Sequence, residues 1–383
     1  MQPRSESGGP DRNQGLDLLR AVAILLVLAS HFGLYAASVQ TGSVPLVSLL
    51  SGFFGVELFF VLSGFLIGNL LLRIAGRGPN LRDWGIFLLR RVMRTAPAYL
   101  TWLAVLAVVM PPAANLPGHL LAFATVTQNL AWPMPADNWF AVSWSLTVEE
   151  WFYLLFGTAF LAGAALLPRR GPWIVLAAFL LLPLLARAAV PADLPWDTAV
   201  RKVAALRLDA IAYGVLLAWL LRGRAVSRRV AALAGGLGLG LLLALCAGWL
   251  RQDAFDLKDE VWRSVVFNLT SLGFALFFPA ALRWSTAQGA LRHVILWLST
   301  RSYGLYLVHF SLLELVAPLL TPGFPLVVWL LEILLVTFLL AELSWRFIEA
   351  PVLARRPRQP GSTAPASVGA SPGHDAIRLA PEG

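Results

Sequence analysis

Cysteine is nearly absent from this chain: its 383 residues contain one, Cys246, inside an apolar run at residues 237–250. That excludes an intrachain disulfide and a cysteine-based metal cluster. Lysine is almost as scarce, with Lys202 and Lys258 the only two. Charged residues of both signs make up only 13% of the chain, roughly half of what a soluble domain carries. Walker loop, dinucleotide-binding fingerprint and HExxH metal motif are all missing, and no metal site is expected. Loops longer than about thirty residues are missing as well. No soluble catalytic domain is therefore expected, and any chemistry falls within the apolar segments or at their ends.

What the chain does have is apolar length. Its hydrophobic share is 58% and its mean hydropathy +0.71, the values of an all-α polytopic membrane protein. Ten stretches have spanning length: residues 16–37, 52–73, 95–112, 140–167, 173–190, 203–221, 230–250, 261–282, 294–318 and 325–346. An eleventh, from His119 to Ala131, is short and holds Gln128 and Asn129, so it reads as re-entrant or interfacial. The first stretch reads as a retained helix, because a signal-peptide core runs to about 7–15 apolar residues without an internal arginine and histidine.

The formal charge of +9 comes almost wholly from arginine. On a soluble protein it would suggest nucleic acid, but here the arginines fall in short loops and report topology, so no nucleic-acid partner is expected. With ten spans and a cytoplasmic N-terminus, Arg73, Arg77, Arg82, Arg90, Arg91, Arg94, Arg169, Arg170, Arg222, Arg224, Arg228, Arg229, Arg283 and Arg292 all lie inside, with Arg355, Arg356 and Arg358 in the tail. The outside loops hold Arg201, Lys202, Arg251 and Lys258, diluted by six acidic residues. Counting the eleventh segment as a span would put the arginines at 169–170 and 222–229 outside, against the positive-inside rule. Both termini are thus expected in the cytoplasm. Residues 1–14 and 354–383 read as disordered, with one membrane unit at 15–353.

Within that unit, charged groups are candidate functional residues by default. Arg20 and His31 stand eleven positions apart, about three helical turns, on one face and about 16 Å apart along the axis. If Arg20 marks the cytoplasmic boundary, His31 lies near the middle of a hydrocarbon core of about 30 Å. An imidazole there suits a general base acting on a hydroxyl at neutral pH, although a histidine can also serve only to hydrogen-bond a neighbouring helix. Glu149 and Glu150 follow Ser145 at the start of an apolar span and diverge by about 100°, so at most one faces a given channel. Either can cap a helix, pair with an arginine, or orient and charge a histidine. Arg90, Arg91 and Arg94 cluster at helical spacing, as a positive-inside anchor or a bidentate phosphate site such as coenzyme A requires. Arg207 and Asp209 are close enough to pair with each other, and His309 is a second intramembrane histidine.

Together these segments resemble the acyltransferase-3 family of integral membrane O-acyltransferases. The matching pieces are GLDLLRA at 15–21 with His31, GVELFFVLSGF at 55–65, RRVMRTAPAY at 90–99 and TQN at 127–129. WSLTVEEWFY at 144–153, RLD at 207–209, SYGLYLVH at 302–309 and EAP at 349–351 complete the series. The resemblance implies transfer of an acyl group, usually acetyl, from cytoplasmic acyl-CoA (acetyl-CoA) to a hydroxyl. Acceptors are cell-surface glycans, lipid-linked sugars or macrolide-type natural products. It places the catalytic arginine–histidine pair on Arg20 and His31 and the essential arginine motif on Arg91 and Arg94. The Ser-x-x-x-Glu motif falls on Ser145 and Glu149. One departure is Trp151, where many members carry glutamine; it bears on the acceptor class. Some members append an extracytoplasmic esterase-like domain; none is expected here, and the chain is expected to act alone or with separate partners.

The expectation is therefore an all-α bundle in a bacterial inner membrane, in contact with lipid, with homo-oligomerisation left open. Arg90, Arg91 and Arg94 hold donor phosphates, and His31 acts as base or carries the acyl group itself. Glu149 or Glu150 orients the imidazole, Arg20 binds donor or stabilises the oxyanion, and Ser145, Tyr153 and His309 contact substrate. The rival expectation is a proton-coupled transporter or flippase using His31, Glu149 and His309 as a relay.

Overall fold

The computed structural model describes residues 13–41, 45–130, 132, 139–249, 259–285, 287–319 and 324–358. Among these residues the chain is helical, with no strand. The helices are α1 (Gln14–Thr41), α2 (Leu46–Ala75), α3 (Leu81–Val109), α4 (Leu116–Ala124), α5 (Trp144–Leu166) and α6 (Gly171–Ala188). They continue as α7 (Leu208–Leu221), α8 (Arg228–Trp249), α9 (Glu260–Arg283), α10 (Gly289–Val316), α11 (Leu326–Ser344) and α12 (Ala350–Ala354). Nine helices among the described residues are long and apolar enough to cross a membrane. They are α1–α3, α6, α7 with the turn before it, and α8–α11. The tenth expected span, α5, has 23 residues but also carries Glu149 and Glu150. A membrane-spanning chain must satisfy its backbone polar groups internally, which helices do.

Two expectations change in detail. The span at 95–112 is the second half of a longer helix: α3 starts at Leu81, where the Asn80 side chain accepts the Asp83 backbone N–H at 2.9 Å. Arg82, Arg90, Arg91 and Arg94 therefore stand on a helix and not in a loop. The short segment after it forms only the nine-residue α4 and a turn; Ala131 lies outside the described residues. Of the segments expected to be disordered, residues 1–12 and 359–383 also lie outside them. Residues 354–358 instead continue from α12, and Arg90 Nη1 donates to the Pro357 carbonyl.

α2 is the central element, packed on α1, α7, α9 and α5. Its crossing with α7 is a backbone contact. A Cβ added to Gly64 would lie 1.8 Å from the Ile211 carbonyl oxygen, and one on Gly214 2.1 Å from that of Val61. Small residues permit such approach where no hydrophobic force separates helices from lipid.

Buried charges tie the same core. Arg207 pairs with Glu57 on α2. Arg187 of α6 forks onto Asp209 at 3.0 and 2.6 Å and reaches Asn268 of α9 at 2.6 Å. Arg207 and Asp209 thus take separate partners, contrary to the expectation of a mutual pair, and Arg187 enters as a residue the sequence reading had not singled out. Arg187, Arg207, Asp209 and Glu57 are each at most 1% exposed. Removing one member of such a pair costs about 3–5 kcal/mol.

Candidate functional site

Two cavities lie back to back inside the bundle. One, of about 110 Å³, is lined by Arg20, Arg91, Arg94, Ser145, Glu149 and Tyr153, among others. The other, of about 160 Å³, is lined by His31, Trp144, Trp196, Asp197, Arg201 and Lys202, among others. Val56 and Tyr306 line both, and so form part of the wall between them. Arg20 and His31 share the α1 face as the helical spacing requires, but each opens into a different cavity.

In the arginine cavity, Ser63 donates to Glu149 Oε1 at 2.6 Å and lies 2.5 Å from the Tyr153 hydroxyl, which also contacts Glu149. Two hydroxyls thus converge on one carboxylate oxygen and also touch each other. Glu149, expected from sequence to orient the imidazole, is engaged there by Ser63 and Tyr153 and makes no direct bond to His31. Glu150 does not line the cavity, and its Oε1 is buried without a partner. Arg20 donates to Ser299 at 3.0 Å and pairs with Asp17 at 3.5 Å. Arg91 stands over the Tyr153 ring at 5.8 Å. Ser145 meets the Tyr306 hydroxyl at 2.7 Å, and Tyr306 donates to the Val142 carbonyl at 3.1 Å.

His31 takes its partner from α10. Its Nδ1 lies 2.8 Å from His309 Nε2, and His309 Nδ1 lies 3.0 Å from the Leu305 carbonyl oxygen. A carbonyl only accepts, so the neutral His309 carries its proton on Nδ1 and presents a lone pair at Nε2. His31 must then donate from Nδ1, which leaves its own Nε2 as the basic nitrogen. His309, expected from sequence to contact substrate, is fully buried and lines neither of these two cavities. The ring orients His31 from behind.

A π-helical turn, Asp197–Arg201, forms the far rim of the histidine cavity. Asp197 accepts from Arg201 at 2.5 Å and Lys202 at 2.6 Å. Burial alone would raise its carboxyl, but these two cations outweigh burial and hold it down at about 2. The Arg201 guanidinium also stands 5.1 Å over the Trp144 ring. Two cations share one carboxylate, leaving the rim net positive.

Residues 13–345 match the family model of an acyltransferase domain. The chain belongs to the acyltransferase-3 family. Relatives in that family include the putative peptidoglycan O-acetyltransferase YrhL of Bacillus subtilis, 28% identical over 88% of this chain and 54% of its own length. The peptidoglycan O-acetyltransferase OatA of Listeria monocytogenes is 26% identical over 88% of this chain and 55% of its own. O-acetyltransferase OatA of Staphylococcus aureus is 27% identical over 88% and 57%. The chain spans just over half the length of these relatives. No solved structure matches it. With its apolar helices, family membership makes the chain an integral membrane protein.

Within the acyltransferase-3 motifs, two cavity-lining hydroxyl residues go unmarked by sequence. Ser63 lies in the 55–65 segment and Tyr306 in the 302–309 segment, where a hydroxyl amid apolar neighbours was the available signal. Trp151, the departure from the family pattern, donates its indole N–H to the Val126 carbonyl at 2.8 Å. Val126 itself adopts φ 54°, a left-handed conformation a β-branched residue takes at a cost of about 1–3 kcal/mol.

Proposed function

We propose that this chain is an integral membrane O-acyltransferase that moves an acetyl group from acetyl-CoA to a hydroxyl of a cell-wall glycan. Its transferase unit is residues 15–353, in a bacterial inner membrane with both termini cytoplasmic. The observation that carries the reading is the Leu305–His309–His31 chain. It leaves a basic nitrogen in one cavity, against a wall whose other side is lined by arginines.

Arg90, Arg91 and Arg94 suit the donor's phosphates, since guanidinium groups bind them bidentately. Of the three, Arg91 and Arg94 line the cavity itself, while Arg90 donates to the Pro357 carbonyl. The donor supplies a thioester carbonyl. His31 Nε2 takes the proton of the acceptor hydroxyl as that oxygen forms the new ester bond. The thioester C–S bond breaks, and His31 returns the proton to the departing thiolate, so the products are an ester and a free thiol. Arg20 and the Ser63–Tyr153–Glu149 cluster lie on the donor side, where Arg20 suits developing oxyanion charge. The glycan assignment draws on the relatives' names and on the tryptophans and net positive rim of the histidine cavity.

The test is acetyl-CoA-dependent thiol release and glycan acetylation by protein in nanodiscs. His31→Ala is expected to bind acetyl-CoA normally and to lose turnover by about 10²–10⁴-fold, the usual contribution of a general base. Near-normal turnover by folded His31→Ala overturns the assignment of the base. Folded wild type that binds no acyl-CoA overturns the transferase reading.

A further inference from the structure

Buried arginines in this fold normally have a carboxylate. Arg20 has Asp17, Arg187 has Asp209, Arg207 has Glu57 and Arg301 has Glu342. One cluster breaks the pattern. Among the described residues, Arg90, Arg91, Arg94 and Arg356 have no ion pair. The Nε atoms of Arg90, Arg91 and Arg356 are buried without any hydrogen-bond partner, and Arg90 and Arg91 are only 7% and 8% exposed.

We infer that Arg356, from the segment after the last helix, completes the donor's phosphate-binding site together with Arg90, Arg91 and Arg94. This inference rests on the transferase reading. Arg355 and Arg358 on either side are exposed, whereas Arg356 is turned inward. Arg90 holds the segment in place through the Pro357 carbonyl. Burial, then the charges of Arg94, Arg91 and Arg90, push the Arg356 guanidinium down to about 8. Glu149 and Glu150 act on Arg91, and Glu349 faces Arg94, only at longer range, and like charges gathered out of water with no carboxylate in direct contact are unfavourable. A phosphate group reverses that balance, because it brings up to two negative charges and three acceptor oxygens. The remaining apolar arm of such a donor then continues into the adjoining cavity, beside Arg91 and Arg94.

Binding of coenzyme A and of pantetheine, which lacks the phosphates, to wild type, Arg356→Ala and Arg356→Lys tests this. In phosphatidylcholine nanodiscs, Arg356→Ala is expected to weaken coenzyme A binding by about ten- to a hundredfold, the range for a hydrogen bond to a charged group. Arg356→Lys recovers part of that affinity, and pantetheine binds all three proteins alike. Equal coenzyme A affinity for wild type and Arg356→Ala overturns the inference. So does an equal loss for both ligands, which marks a structural role. Repeating the titration with phosphatidylglycerol in the disc separates two sources of phosphate: unchanged affinity supports the coenzyme, and displacement by the lipid overturns the assignment in favour of a headgroup. Wild type that binds neither probe is the failure of the transferase reading itself.

Discussion

A neutral imidazole has one donor and one acceptor nitrogen, and its usefulness as a base depends on which is which. In this chain the choice is made by a backbone carbonyl two hydrogen bonds away, at Leu305. His309→Gln keeps an amide that can both donate and accept, whereas His309→Phe can do neither. Phe is therefore expected to lower kcat by about 10²–10⁴-fold, with the KM for acetyl-CoA unchanged, and Gln to recover much of the loss. A KM rise with kcat intact would instead mean that His309 contacts substrate. The sequence presents His31 and His309 as two intramembrane histidines but offers no means of joining them, since 278 residues separate the pair. The adjacency of Glu149 to other motif residues gave no sign of its partners, the hydroxyls of Ser63 and Tyr153.

At the scale of helices, apolar length was legible and the ends were less so. Nine segments read from hydropathy coincide with helices long enough to span. The α3 start escaped because Arg82, Asp83, Arg90, Arg91 and Arg94 dilute its apolar content, while the Asn80 cap and helical backbone are indifferent to hydropathy. The α2–α7 crossing was also illegible, since Gly64 and Gly214 lie 150 residues apart in sequence and neither spacing alone declares a partner. Gly214→Val is expected to cost about 1–3 kcal/mol by overpacking. Thermal unfolding of detergent-solubilised protein should show it as a lowered midpoint. Gly240→Ala, on α8 with nothing within 4 Å of the added Cβ, is the control expected to show no loss.

For the molecule as a whole, the arginine distribution predicts which side each cavity faces. In a Cys246→Ser background, a cysteine replacing Asp193 should react with an impermeant maleimide on intact cells. One replacing Ala225 should react only after permeabilisation. The reverse pattern would exchange the donor and acceptor sides. The two cavities were not legible in sequence at all, because their shared wall joins α2 and α10 through Val56 and Tyr306. That wall has an energetic meaning for the cell that carries it. A continuous water-filled path across a membrane would short-circuit its electrochemical gradient, and moving one charge through 100 mV is worth about 2.3 kcal/mol. If the chain works as proposed, two compartments whose shared wall includes a valine and a tyrosine would let a neutral acyl group change sides while hydronium and metal ions have no wire to follow. On the proposed transferase reading, the acyl group would then cross without spending the ion gradient that the same membrane exists to hold.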